Sequence, residues 1–212
     1  MGALTAEIPK PMLRVGGKTL LEHKLDRLPD ETREIIFVVG YLGDKIRHYF
    51  GGDYFGIPIR YVEQKELLGT AHSLWQAKDL ITGKFMVLMG DDIYSEEDLE
   101  RCAANDWAIL VRKVEVLRRG GRIVYESGKL IDIIEGEDHG GGEGFINAAV
   151  YTLQPEIFNY EPVKLPNGEF GLPQTVLLAA KDHELKIVEA SEWVSITDEN
   201  DLKVAENANA SI

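Results

Sequence analysis

Residues 84–99 read KFMVLMGDDIYSEEDL, and this stretch decides the fold class. The apolar run 85–89 shows no polar alternation, so both of its faces must be covered, the usual condition of a strand inside a parallel sheet. It leaves through Gly90 into Asp91 and Asp92. Ser95, followed by Glu96, Glu97 and Asp98, then has the composition of a helix start, a hydroxyl N-cap with acids at the positive end of the dipole. A strand, an acidic turn and a helix in that order predict an α/β architecture, with ligands gathered beyond the carboxyl end of the strand.

The same order recurs around it. EIIFVVG at 34–40 is a second buried strand ending at Gly, and IPIRYVE at 57–63 is a third. Helical spacing fills the intervals, with TLLEHKLDRL at 19–28, GDKIRHYF at 43–50 and TAHSLWQAKDLI at 70–81, and a further helix is expected over 95–104. This alternation predicts right-handed βαβ crossovers in an open sheet. The second half changes character. WAILVRKV, RIVYE, KLIDIIE and FINAAVYTL are β-rich, and Ser127-Gly128 stands between two of them as a hairpin turn would, so a mixed or antiparallel half is expected. A helix at 172–182, the strand 184–190 and a helix near 198–208 complete the chain.

Composition narrows the function. The 212 residues, 44% hydrophobic, suit a single large domain with a sizeable core, and no repeat or long linker divides them. No apolar run approaches the roughly 20 residues that span a bilayer, and the N-terminus lacks the basic-then-apolar order of a secretory signal. The default expectation is therefore a cytoplasmic protein with no membrane partner. The lone Cys102 cannot make an internal disulfide, and the five histidines lack ligand spacing, which argues against a structural zinc site. The net charge of −13 argues against nucleic acid as a partner, while leaving room for a small polyphosphate offset by a few cations and a divalent metal.

Three places carry candidate chemistry. Asp91 and Asp92 could hold Mg²⁺, which is usually bound by one or two carboxylates plus substrate phosphates; an acidic turn that only caps the next helix explains them equally well. In YVEQKELLGTAHSLWQA, 61–77, the amide of Gln64 can donate and accept as base reading requires, and Gly69 would let a ring lie against backbone. A surface loop with a glycine turn accounts for the same residues. Lys10, between Pro9 and Pro11, has an extended backbone that aims its ammonium, although a solvated charge is the default for one lysine. HGGGEG at 139–144 lies between no strand and helix and reads as a surface loop rather than a phosphate loop.

Taken in order, PKPML, GKTLLEH, VVGY, EQKELLGTAHS, LMGDDI, INAAVY and Trp193 ahead of a DL helix resemble the sugar-1-phosphate nucleotidylyltransferases, closest to the glucose-1-phosphate thymidylyl and uridylyl enzymes. The resemblance runs from Leu4 to the last helix. It implies a Rossmann-like nucleotide-diphospho-sugar transferase fold, with a mixed, mostly parallel central sheet flanked by helices and a β-rich sugar-binding half. One domain over 1–212 would divide into a nucleotide-binding half at 1–105 and a sugar-binding half at 106–212. It further implies transfer of a nucleotidyl group from an NTP, dTTP or UTP favoured, to a sugar 1-phosphate, glucose 1-phosphate favoured, with Mg²⁺. By motif, Lys10 contacts phosphate and Asp91 binds the metal, the two being the catalytic pair; Gln64, Gly69 and Thr70 belong to nucleotide binding. Glu135 and Asn147 line the sugar, and Asp92 supports rather than coordinates. A homo-oligomer is compatible with this reading.

The chain also departs from the family pattern. A strand and G-x-G-T-R loop would precede Ala3-Leu4-Thr5, and Met1 falls just after the arginine; that loop's amides would wrap a triphosphate. Loss of that strand is expected to leave neighbouring strand edges unpaired. An E-K-P reads Glu135-Gly136-Glu137, which replaces a sugar-phosphate lysine by Gly136. A W-x-D-x-G reads Trp193-Val194-Ser195, which replaces a second metal carboxylate by Ser195, and a T-D reads Pro173-Gln174. Three readings stay open: an enzyme whose Met1 is an internal methionine, a relative that binds nucleotide or nucleotide sugar without efficient turnover, and a fragment that does not fold alone.

Overall fold

The computed structural model describes residues 5–136 and 138–209. The expectations attached to Met1, Ala3, Leu4 and Glu137 lie outside them.

Local signals place most elements where the sequence puts them. Helix Gly43–Phe50 and strand Ile57–Glu63 match their expected spans to the residue. Thr19 accepts from the Glu22 amide and Glu22 reaches back to the Thr19 amide, a capping box that starts helix Leu20–Leu25. Ser95 caps helix Glu96–Ala103 through the Asp98 amide. The pattern over 70–81 is shorter than expected as an α-helix: it ends at Gln76 and continues as a 3-10 turn, Lys78–Leu80. Ser127 and Gly128, both at positive φ, form the turn between strands Gly120–Glu126 and Lys129–Gly136.

The larger sheet has six strands, ordered 129–136, 120–126, 144–153, 108–114 and 186–189, with Phe85–Leu88 also paired to Gly144–Leu153. Alternation along strands puts Ile109, Val111, Tyr151 and Leu153 on one face, against helices Thr70–Gln76 and Leu172–Ala179. Ala108, Leu110, Ala148 and Val150 face the other way, onto Leu99 and Cys102 of helix Glu96–Ala103. A separate core joins Ile35, Val39 and Ile59 to Leu21, Leu25, Ile46 and Phe50.

The sheet is mixed, but the finer expectation of a mostly parallel one needs correction. Among the described residues only Ile35–Val39 with Ile57–Glu63, and Lys186–Glu189 with Ala108–Val114, run parallel. In the β-rich half one hairpin return joins 120–126 to 129–136, and strand Gly144–Leu153 pairs antiparallel with Gly120–Glu126, Ala108–Val114 and Phe85–Leu88 through longer connections. The strands 35–39 and 85–88, expected in one sheet, lie in two. Strand Ile35–Val39 pairs with Ile57–Glu63 alone and Phe85–Leu88 with Gly144–Leu153 alone, so among the described residues each keeps an open edge. Phe85–Leu88 is accordingly half-buried along its length instead of fully covered.

Candidate active site

Pairing brings the candidate residues to one end of the fold. Leu88 faces Val150 in an antiparallel ladder, so Asp91, three residues beyond Leu88, and Asn147, three residues before Val150, leave from the same edge. Val39 stands beside Glu63, which puts Gly40 and Gln64 at the carboxyl ends of their parallel pair. The segment around Lys10 crosses both ends. Tyr41 donates to the Ala6 carbonyl at 2.9 Å and Lys45 donates to the Glu7 carbonyl, while Pro11 packs so close to Gly90 that a Cβ there would lie 2.8 Å from its Cγ. Gly90 is thus required by the approach of Pro11.

Lys10 and Asp91 meet. Nζ lies 2.5 Å from Oδ2, and both side chains are partly open to solvent, at 28% and 36% exposure. Asp92 points inward and is buried. Its carboxylate accepts from the Tyr94 hydroxyl at 3.1 Å, and that hydroxyl lies 3.0 Å from the Ala148 carbonyl, so Tyr94 ties the acidic turn to the strand that carries Asn147. Burial pushes the Asp92 carboxyl above its usual range and the Asp91 charge adds to this, while hydrogen bonding from Ser195 and the Lys24 charge oppose it. Strand Trp193–Ser195 pairs antiparallel with Asp92–Tyr94, which sets Ser195 directly across from Asp92.

On the base side, the Gln64 amide nitrogen donates to the Gly69 carbonyl at 3.2 Å and to His72 Nδ1 at 3.0 Å. Gly69 sits at φ +96, and an added Cβ would lie 2.6 Å from the Phe170 carbonyl oxygen. A neighbouring chain segment, rather than an open space for a ring, therefore explains why glycine is needed there. The Thr70 hydroxyl accepts from the Leu172 amide at 3.0 Å, a contact that joins two helix starts.

On the sugar side, Asn147 donates to the Tyr151 hydroxyl at 2.6 Å and accepts from the Ala149 amide at 2.9 Å. Ala149, at φ 58, sits in an irregularity that interrupts the ladder between Asn147, still paired with Val111, and Tyr151, and its amide reaches back to the Asn147 side chain. Gly121 brings Glu135 and Asn147 together: a Cβ on it would lie 2.8 Å from Glu135 Oε1 and 3.3 Å from Asn147 Cβ. Desolvation raises the Glu135 carboxyl from its ordinary value, and the His139 charge pulls the other way. Gly136 faces the His139 ring, whose Cε1 would lie 3.1 Å from an added Cβ.

Sequence reasoning missed Lys24, which is buried on helix Leu20–Leu25 and donates to the Asp92 carbonyl. Burial lowers its pKa to about 8, against the pull of Asp92 and Asp91. The signal was a charge inside the apolar stripe Leu20, Leu21, Leu25 and Leu28. Tyr94, Tyr151 and His72 were missed although the side chains they hold, Asp92, Asn147 and Gln64, lie two, four and eight residues away, because their apolar or helical settings explain them without a site.

Among the described residues no three His, Cys, Asp or Glu side chains converge as a metal cage, and no helix is long and apolar enough to cross a membrane. A lone outward Asp91 backed by Asp92 still fits Mg²⁺, which takes most of its ligands from phosphate and water. A concavity of about 650 Å³ lies elsewhere, at the opposite end of the large sheet between Trp107, Gln154 and His183.

These features define a Rossmann-like nucleotide-diphospho-sugar transferase fold, with its polar residues gathered beyond the strand ends. The chain belongs to the nucleotidyl transferase family, whose model matches residues 2–205. It is 30% identical over 202 residues to the UTP–glucose-1-phosphate uridylyltransferase AglF of Haloferax volcanii, covering 90% of this chain and 83% of that one. Over 185 residues it is 30% identical to the bifunctional protein GlmU of Methanocaldococcus jannaschii, covering 86% of this chain but 44% of that protein, so it spans a little under half of that relative. A crystal structure of a putative glucose-1-phosphate thymidylyltransferase from Bacillus anthracis, in complex with sucrose, superposes with a TM-score of 0.86 at 21% identity, over 100% of this chain and 91% of the other. At the level of the family, nucleotidyl transfer to a sugar 1-phosphate is supported.

Proposed function

We propose that this protein transfers a nucleotidyl group from dTTP or UTP to glucose 1-phosphate, releasing pyrophosphate, with Mg²⁺ as cofactor and in the cytoplasm. The observation that carries this reading is the Lys10–Asp91 contact, a cation and a metal-type carboxylate 2.5 Å apart at the end of the fold that also holds Asn147. The likeness to AglF supports the uridylyl choice and that to the Bacillus anthracis protein the thymidylyl one.

A phosphate oxygen of the sugar phosphate attacks the α-phosphorus, and the bond to the β-phosphate breaks. The nucleophile is already an anion, so positioning and charge stabilisation replace a strong base. Mg²⁺, held by Asp91, would supply charge neutralisation at the phosphates. Lys10 would release Asp91 and pair with a phosphate. Both Gln64 N–H groups are engaged by Gly69 and His72, which leaves Oε1 as an acceptor suited to the N3–H of uracil or thymine. Asn147 has one N–H and one lone pair left for sugar hydroxyls.

A second reading, binding without efficient turnover, is favoured by Ser195 opposite Asp92 and by Gly136. Purified protein incubated with Mg²⁺, glucose 1-phosphate and each NTP, with pyrophosphate measured, separates the two. Turnover with dTTP or UTP supports the first; nucleotide binding without pyrophosphate supports the second. Absence of both overturns both.

A further inference from the structure

Helix Leu20–Leu25 carries a lysine where its pattern asks for an apolar residue. Lys24 is 4% exposed, its ammonium donates to the Asp92 carbonyl, and it stands 5.7 Å from the centre of the Tyr94 ring. Asp92 and Asp91 attract it and Lys10 opposes it. One turn on, Arg27 donates to the Tyr94 carbonyl at 3.2 Å. Residues two apart in a strand direct their carbonyls the same way, so this helical segment clasps one side of strand Asp92–Tyr94 while Trp193–Ser195 pairs with it along the other. A partly buried guanidinium serves Tyr94. Burying a whole ammonium for Asp92 is far more costly than satisfying a carbonyl requires.

We propose that Lys24 is a positioning residue for the metal turn. By clamping the Asp92 carbonyl it fixes the peptide between Asp92 and Ile93, and so holds the Asp91 carboxylate facing Lys10 and the substrate phosphates. The proposal rests on the nucleotidyl-transfer reading above. Groups that orient a metal ligand without touching the metal typically change metal affinity about 10- to 100-fold when removed.

Mn²⁺ binding in the presence of UTP, followed by electron paramagnetic resonance, tests this in the full chain alongside pyrophosphate release at varied Mg²⁺. Lys24→Met is expected to weaken Mn²⁺ binding about 10-fold or more and to raise the half-saturating Mg²⁺ by a similar factor, with a smaller change in kcat at saturation. Arg27→Met, which loses the neighbouring clasp, stays within about twofold on the same reasoning. Wild-type Mn²⁺ affinity in a folded Lys24→Met protein overturns the proposal. Should that variant lose cooperative melting, hydrogen exchange on the wild type decides: Mn²⁺ with UTP is expected to slow exchange in peptides over 20–27 as well as 90–94. Slowing over 90–94 alone refutes the coupling. A wild type that neither binds Mn²⁺ nor releases pyrophosphate fails the functional reading itself and takes Lys24's role with it, a pattern unlike an active wild type matched by Lys24→Met.

Discussion

Ser195→Asp would set a carboxylate directly across from Asp92 at the turn where the metal is proposed to bind. The two positions are register partners in an antiparallel pair, which places their Cβ atoms about 5 Å apart. Two unit charges at that separation, with an effective dielectric constant of about 20, repel by about 3 kcal/mol. Asp92 is already buried and held above its usual pKa beside Asp91, so the new charge has little room to relax. In chelator, the variant is expected to lose about 2–3 kcal/mol, which for a chain of this size lowers Tm by roughly 4–12 °C. Mg²⁺ bound only by the folded form returns about 2.7 kcal/mol at a hundredfold excess over Kd. The second carboxylate tightens the site, and at one fixed Mg²⁺ concentration above both Kd values a tenfold lower Kd adds about 1.4 kcal/mol. The increase of Tm with Mg²⁺ is therefore expected to be roughly 3–6 °C larger in Ser195→Asp than in the wild type, read by calorimetry in chelator and at that Mg²⁺ concentration. Equal Mg²⁺ increments in the two proteins, or a chelator Tm within a degree of wild type, would refute the placement of the metal at this turn.

Asp98 is buried and accepts from the Ser191 amide, the Ser191 hydroxyl, the Glu192 amide and Arg101, so Asp98→Asn should cost about 2 kcal/mol in urea unfolding at pH 7. These donors hold its folded pKa below the ordinary value despite the burial that opposes them, so its stabilisation is present above the unfolded pKa of about 4 and vanishes as pH falls through the folded one. The gap between variant and wild type should narrow as pH falls below about 4, the unfolded pKa, and a gap that does not shrink at all with further acidification contradicts the assignment. Gly69→Ala meets both a glycine-only backbone conformation and the Phe170 backbone, so a loss of about 3 kcal/mol or more is expected, visible as a Tm lowered by roughly 6 °C or more. Asn147→Ala should raise KM for the sugar phosphate about 10-fold while KM for the NTP moves less than about twofold, and the reverse order would exchange the two subsites.

What was legible in the sequence was local. The capped helices at Thr19 and Ser95, the hairpin at Ser127-Gly128 and the strand 57–63 follow from side chains acting within a few residues. Pairing was not legible, because an apolar run such as 85–88 says that it is covered without saying by what, and here one edge is open. In the site, Lys10, Asp91, Glu135 and Asn147 could be named from motif. The irregularity at Ala149 and the bare Cα of Gly121, which bring Asn147 and Glu135 together, arise from strand register and leave no local mark.

The candidate side chains are held by unequal contacts, and the inequality bears on how the site would work. Asn147 is fixed from both ends of its amide, Gln64 by two acceptors, and Asp92 by a buried phenol and a strand partner. Breaking any of these strands a polar group with little water to replace its partner, at about 1–3 kcal/mol each. The Lys10–Asp91 pair differs, since both side chains reach solvent and such pairs contribute about 1 kcal/mol or less. It is the cheapest contact of the set to exchange. It is also the one that the proposed chemistry must exchange, a metal taking the carboxylate and a phosphate taking the ammonium. Substrate binding in this fold therefore calls for the swing of one lysine on an otherwise preorganised frame.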